Sequence, residues 1–226
     1  MQNIHKNSLP KSRFTKVEAL RKQLLTNQQI LRFVDFGNNK KMVEKTVSDI
    51  ARNSAKNPKL CSTLAEIVAF VNPQTAIELG TSLGISLAFQ QLAAPNCRFV
   101  SHEGGAEVAE FAKSNLKELG LNPCIKIGSF EKSLPETLQK LQTIDFAFID
   151  GHHQQQPTLD YFNQIYQHLS PNGVVVFDDI YWSEGMKLAW EKICQDSRVS
   201  ISIDLFHLGI VFIRKGVEKQ HFLLRI

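Results

Sequence analysis

The stretch Ile77-Glu78-Leu79-Gly80-Thr81-Ser82-Leu83-Gly84-Ile85-Ser86 decides the fold of this chain. A short apolar run from Thr75 to Leu79 leads into it and an amphipathic stretch from Ile85 to Leu92 leads out, the order strand, glycine turn, helix. Glycines at such a turn let backbone approach a ligand closely, and the helix start beyond offers free N–H groups and a positive dipole end. By position this is a ligand-binding turn. It does not follow G-x-G-x-x-G: Gly80 fills the first slot, but Ser82 and Ile85 stand in the other two, so a dinucleotide fingerprint is poorly met. Glu78, ahead of the glycine, suits a ligand carrying a cationic group better than a pyrophosphate.

Downstream of this turn, strand-like runs at Arg98 to His102, Cys124 to Ile127, Asp145 to Ile149 and Val174 to Phe177 alternate with helical stretches. The helical stretches are Ala106 to Leu119, Glu131 to Leu141, Leu159 to His168 and Gly185 to Gln195. That alternation calls for a parallel sheet with helices on both faces. Val199 to Phe206 and Leu208 to Arg214 meet across His207 with no room for a crossover, so they predict an antiparallel terminal hairpin. The expectation is an α/β, doubly wound, seven-stranded sheet over residues 73–226. Upstream, three apolar stripes at helical spacing predict three helices: Val17, Leu20, Leu24, Leu31; then Val43, Val47, Ile50, Ala51; then Leu60, Leu64, Ile67, Val68, Val71. Asn72-Pro73 closes this region, since the residue before proline avoids the α conformation. Residues 1–72 therefore read as a helical extension, and a basic one. Residues 1–60 hold 13 Lys and Arg against 4 Asp and Glu, leaving 13 against 18 for the rest.

With 226 residues, 43% hydrophobic and 21% charged, the chain holds enough apolar material for one sizeable core and gives no case for global disorder. No apolar run approaches the roughly 18 residues of a membrane span, and the N-terminal residues lack a signal-like apolar segment, so a cytoplasmic protein is expected. Cys61, Cys97, Cys124 and Cys194 form no C-x-x-C pair and read as free thiols.

Carboxyl ends of parallel strands line the crevice of a doubly wound sheet. Glu103 ends the second strand, where an acid can accept hydrogen bonds from ribose hydroxyls, and Gly128-Ser129-Phe130 ends the third, where a hydroxyl and a ring can hold an adenine. The fourth ends in Asp150-Gly151-His152-His153 and the fifth in Asp178-Asp179-Ile180-Tyr181-Trp182. Asp150, Asp178 and Asp179 are expected to converge there with at least one histidine, carboxylates enough for a hard divalent cation such as magnesium but no spacing that fixes one. His153 is the candidate general base, because imidazole titrates near neutral pH; His152 should point elsewhere. Asp35-Phe36-Gly37 spells a kinase triplet without its companion motifs and reads as a turn, and the Gln-rich segment after His153 reads as a loop ending at Pro157.

Taken together these residues resemble the class I S-adenosylmethionine-dependent methyltransferases. Glu78 to Gly84 resembles their first motif, Glu103 the ribose-binding acid, Asp145 to Asp150 the fourth motif and Leu169-Ser170-Pro171-Asn172-Gly173 the loop before the fifth strand. Within that family the likeness is to small O-methyltransferases of the catechol and caffeoyl-CoA type. The resemblance implies S-adenosyl-L-methionine as cofactor, held by the turn Glu78, Gly80, Thr81, Ser82, Gly84 and Ser86, with Glu103 on the ribose and Ser129 and Phe130 on the adenine. Asp150 is implied near the cofactor amino group and the metal position, and His153 and Asp150 as the catalytic pair. Metal-dependent members end the fifth strand in Asp-Asn and carry a lysine base three residues after the first metal-ligating aspartate; here Asp178-Asp179 and His153 stand instead. The Asn-Pro-Pro-Tyr type motif of amino-group nucleic-acid methyltransferases is absent after the fourth strand, which favours a small-molecule acceptor over nucleic acid. An RNA methyltransferase using the basic extension, which would need salt-sensitive RNA binding, is the enzyme alternative. A nucleotide-binding protein of NAD type or a non-catalytic binder is the other, and a homodimer stays open.

Overall fold

A computed structural model describes residues 9–36, 40–53 and 56–225. The N-terminal region differs from three consecutive helices. Helix α1 (Thr15–Leu24) is followed by strands β1 (Ile30–Asp35) and β2 (Lys41–Thr46), then by helices α2 (Val47–Asn53) and α3 (Pro58–Val71). The two strands pair antiparallel, Ile30 opposite Thr46 and Asp35 opposite Lys41. Leu31, seven residues after Leu24, fits a helical stripe and a strand equally, but the Ile30 to Val34 run is rich in β-branched and aromatic residues and forms the strand. Val43, read as helical, lies in β2. Of the Asp35-Phe36-Gly37 triplet, Asp35 ends β1 and Phe36 enters a turn, while Gly37 lies outside the described residues.

The remaining elements alternate as the sequence predicts. Strand β3 (Thr75–Leu79), α4 (Ile85–Ala93), β4 (Arg98–Glu103), α5 (Ala106–Glu118), β5 (Cys124–Ile127) and α6 (Phe130–Leu141) come first. There follow β6 (Ile144–Ile149), α7 (Gln155–Tyr166), β7 (Leu169–Asp178), α8 (Glu184–Gln195), β8 (Ile201–Asp204), β9 (Leu208–Phe212) and β10 (Gln220–Leu223). The segment Leu169 to Gly173, matched to a loop, is the start of β7, and α7 begins at Gln155, inside the stretch read as a loop, with Pro157 in its first turn. Among the described residues the sheet has eight strands rather than seven, in the order β10-β8-β9-β7-β6-β3-β4-β5. The terminal hairpin is as expected, with β9 antiparallel to both β7 and β8; the short β10 adds parallel to β8.

The sheet order reverses between β3 and β6, which are parallel neighbours. A crevice at such a switch point is where open α/β sheets bind ligands. Two apolar layers close the sheet. On one face Leu64 and Val68 of α3, Leu87 and Phe89 of α4 and Ala112 of α5 pack against Phe146 and Phe148; on the other, Leu134, Phe162 and Trp190 of α6, α7 and α8 pack against Ile77 and Phe177. The first layer continues into the N-terminal region, where Phe14 stacks on Phe89 at 4.5 Å and Val17 and Leu20 are buried. No helix among the described residues is long and apolar enough to cross a membrane.

Candidate active site

The ends of β3, β4, β6 and β7 open into one cavity of about 830 Å³. Gly80, Ser82, Glu103, Ser129, Phe130, Asp150, His153, Asp178 and Asp179 all border it. Glu78, Thr81, Gly84 and Ser86, assigned to the cofactor turn by resemblance, do not. Glu78 is fully buried beneath the turn and accepts hydrogen bonds from Ser86 Oγ (2.8 Å), Gln90 Nε2 (2.7 Å) and Ser101 Oγ (2.6 Å), while the Thr81 hydroxyl bonds Ser101 (2.6 Å). It braces the turn from below.

Burial pushes the Glu78 carboxyl from its ordinary 4.5 up to about 7, against the hydrogen bonds from Ser101 and Ser86. A raised carboxyl stabilises the fold fully below the unfolded value and loses that contribution as pH rises through the folded value. Between pH 4.5 and 7 this group should therefore remove stability, by about 3 kcal/mol at most at ~1.4 kcal/mol per pH unit. Glu78→Gln is expected to flatten that slope. Urea midpoints of both proteins at pH 5 and pH 8 check it: the variant gains relative to the native chain at pH 8, and an unchanged gap would mean that Glu78 stays ionised.

Above the turn, Glu103 Oε2 accepts the Ser82 N–H (2.8 Å) and Oε1 the Gly105 N–H (2.9 Å), so one carboxylate ties the β3 turn to the β4 turn. Burial pushes this carboxyl above its usual range, against the hydrogen bonds from the Gly105 and Ser82 amides. The β1–β2 hairpin covers this end of the cavity, bringing Phe33, Val34, Asp35, Phe36 and Lys45 to its wall. Arg32 N donates to Glu107 Oε2 at 2.7 Å, fixing the hairpin over the start of α5, and Phe36 and Phe33 lie so close on Gly104 and Gly105 that a side chain at either glycine would strike a ring.

His153 and Trp182 also border the cavity, their rings 6.5 Å apart, with Trp182 72% exposed. His153 Nε2 lies 3.7 Å from Asp150 Oδ1. His152 also borders the cavity but is engaged elsewhere, its Nδ1 hydrogen-bonded to the Tyr161 hydroxyl (2.9 Å) and its ring against the edge of Phe130. Ser82, His152, His153 and Asp179 all have positive φ, at 48°, 65°, 40° and 51°. Left-handed backbone at non-glycine residues costs on the order of 1 kcal/mol each and clusters where surrounding structure fixes a site.

The residue that sequence reading missed is Lys56, in the short segment before α3. Its ammonium is 2.9 Å from Asp150 Oδ2 and in contact with Asp178 Oδ2, with its side chain only 8% exposed. Burial alone would lower the lysine pKa, but Asp150 and Asp178 outweigh it and hold the group above its ordinary value, so it stays an ammonium. Burial likewise pulls Asp150 upward, and Lys56 and His153 overcome it, leaving the carboxyl below its usual range. Asp178 is pushed well up by burial and by the Asp150 charge. Asp178 Oδ1 has no hydrogen-bond partner among the described residues. Ligand atoms of Asp150, His153 and Asp178 lie within 4.8 Å of one another, and Asp179 borders the same cavity outside that cluster.

A family model described as "Methyltransferase domain" matches residues 77–180. An uncharacterised protein of Acanthamoeba polyphaga mimivirus is 32% identical over 132 residues, 54% of this chain; the match spans about 60% of that relative's length. Among solved structures, an O-methyltransferase from Bacillus cereus in complex with S-adenosylhomocysteine is 18% identical, with 92% of each chain covered and a TM-score of 0.65. An S-adenosylhomocysteine-bound methyltransferase from Podospora anserina is 14% identical, covering 93% of this chain and 91% of its own, at 0.67. A Streptomyces achromogenes O-methyltransferase of tomaymycin synthesis, bound to S-adenosylmethionine, is 19% identical, covering 91% and 99%, at 0.63. At these identities the likeness is one of fold, that of the class I methyltransferases, as the motifs led us to expect.

Proposed function

We propose that this chain, folded as a class I S-adenosylmethionine-dependent methyltransferase, transfers a methyl group to a hydroxyl of a small-molecule acceptor. The observation that carries the reading is the largely buried Glu103 carboxylate at the end of the second parallel strand, clamping the Ser82 and Gly105 amides on the cavity wall. The residues present fit the cofactor. Gly80 leaves backbone bare where β3 meets β6, two acids face the cavity for a ligand with hydroxyl and ammonium groups, and Ser129 and Phe130 border the same wall for an adenine.

When bound, S-adenosylmethionine supplies an electrophilic methyl group on a positively charged sulfur. The chain's part is to hold the reactants aligned, which by itself can account for several kcal/mol of the barrier. Asp150, kept ionised by Lys56, offers its carboxylate beside Gly80 to a ligand ammonium. His153 takes the proton from the acceptor hydroxyl, and Asp150 Oδ1 at 3.7 Å stabilises the imidazolium that results. Trp182 and the hairpin rings of Phe33 and Phe36 add aromatic surface to the cavity wall.

Calorimetric titration with S-adenosylhomocysteine tests the proposal. Saturable binding is expected for the native chain, weakened about 10- to 100-fold in Glu103→Ala, as for loss of a charged hydrogen-bond acceptor. Absence of saturable binding to the native chain overturns it.

A further inference from the structure

A half-buried acid, Asp150, a buried one, Asp178, and the half-buried His153, with ligand atoms within 4.8 Å of one another, have the donor set of a divalent-cation site. A divalent ion does not fit that set in this chain, because Lys56 already stands on both carboxylates. A small hard ion binds carboxylate oxygen at about 2.0–2.1 Å and demands near-octahedral surroundings, which an ammonium touching the same two oxygens denies it by contact and by charge. We infer that Lys56 is the resident cation of this site, held where a metal ion would sit, and that the chain binds its ligands without a divalent metal.

The lysine is built in rather than resting there. Arg21 Nη1 of α1 donates to the Lys56 carbonyl at 3.0 Å, and the Cys61 thiol approaches the same oxygen at 3.7 Å. One residue on, Asn57 caps α3, its Oδ1 accepting the Leu60 N–H at 2.9 Å, and Pro58 occupies the first helical turn. The side chain then runs inward until its ammonium lies 5.4 Å from the centre of the Phe148 ring. An exposed lysine could swing into solvent and vacate the site; this one would have to leave two acids uncompensated, a costly change in a buried pair. The N-terminal region thereby supplies a residue to the centre of the site formed by the sheet.

The catalytic meaning of this inference rests on the proposed methyl transfer, but its test does not. Manganese(II) is titrated into the purified chain, free hexaaqua ion being followed by electron paramagnetic resonance, alongside Lys56→Ala, Lys56→Gln and the double variant Lys56→Ala, Asp178→Asn. The native chain is expected to take up no stoichiometric manganese. At least one of the two single variants, checked by circular dichroism, should gain one site at least about 30-fold tighter than any binding by the native chain, and the double variant should lose it. A native chain that binds one equivalent, removed by Asp178→Asn, overturns the inference, as do folded single variants that bind none. If neither variant folds, the native titration still decides. S-adenosylhomocysteine binding by the same native sample, with and without EDTA, separates the two questions: no binding at all sinks the methyltransferase reading alone, whereas binding lost to EDTA and restored by manganese sinks the resident lysine.

Discussion

Gly80→Ala is expected to abolish S-adenosylhomocysteine binding and to destabilise the fold by about 3–5 kcal/mol, the sum of a left-handed backbone cost and overpacking against backbone. Gly80 has φ +101°, a conformation that side-chain-bearing residues rarely adopt. A Cβ there would overlap the carbonyl oxygen of Asp150, which cannot retreat freely because Asp150 N donates to Leu79 O at 2.8 Å. The ends of β3 and β6 are knit at this point, so relief by moving Asp150 also moves the carboxylate from Lys56 and His153. One methyl group thus reaches the whole site through the backbone. Gly120→Ala is the control, with φ +75° and nothing within 4 Å of an added Cβ, so it carries the conformational cost alone, about 1–2 kcal/mol. Urea unfolding of both, with ligand titration, decides. Equal losses in the two variants would show that the approach of the two strand ends is looser than described.

The parts of this site readable from the sequence are those set by local pattern. Alternation of apolar runs with amphipathic stretches gives the sheet, and sheet topology places the carboxyl ends of its parallel strands at one edge, so Gly80, Glu103, Ser129, Asp150 and Asp178 could be brought together without knowing any contact. What the pattern does not carry is direction across short distances. Glu78 and Gly80 are two residues apart, yet Glu78 turns down into a nest of Ser86, Gln90 and Ser101 while Gly80 opens on the cavity. Lys56 was invisible for the opposite reason. It lies 122 residues from Asp178, in a region rich in lysine and arginine, and nothing local sets it apart from a solvated charge. The only nearby signal is the Asn57-Pro58 helix start, which fixes where the segment stops but not that its last side chain points inward. The β1–β2 hairpin was lost to an ambiguity of period, since a spacing of seven suits a helix face and a strand follows from residue type alone.

Replacing His153 should cost turnover and leave cofactor binding alone. Of the groups bordering the cavity, His153 combines a basic ring nitrogen, partial exposure at 30% and a carboxylate neighbour at 3.7 Å able to stabilise its protonated form. A positioned base of this kind contributes about 10²- to 10⁴-fold to a rate, so His153→Ala is expected to lose that much in kcat with tritiated S-adenosylmethionine and whichever phenol or catechol of a panel the native chain methylates. S-adenosylhomocysteine affinity should stay within about twofold, because Glu103 and the Gly80 turn lie on other strands. The backbone supplies a further control. His153 has φ 40°, which asparagine tolerates better than alanine, so His153→Asn should match or exceed the stability of His153→Ala while losing the same activity. A residue that merely packed would show the reverse, activity following stability. Added imidazole discriminates finally between base and binder: restored turnover in His153→Ala places the lost function in proton transfer, and a variant that keeps native kcat removes His153 from the mechanism.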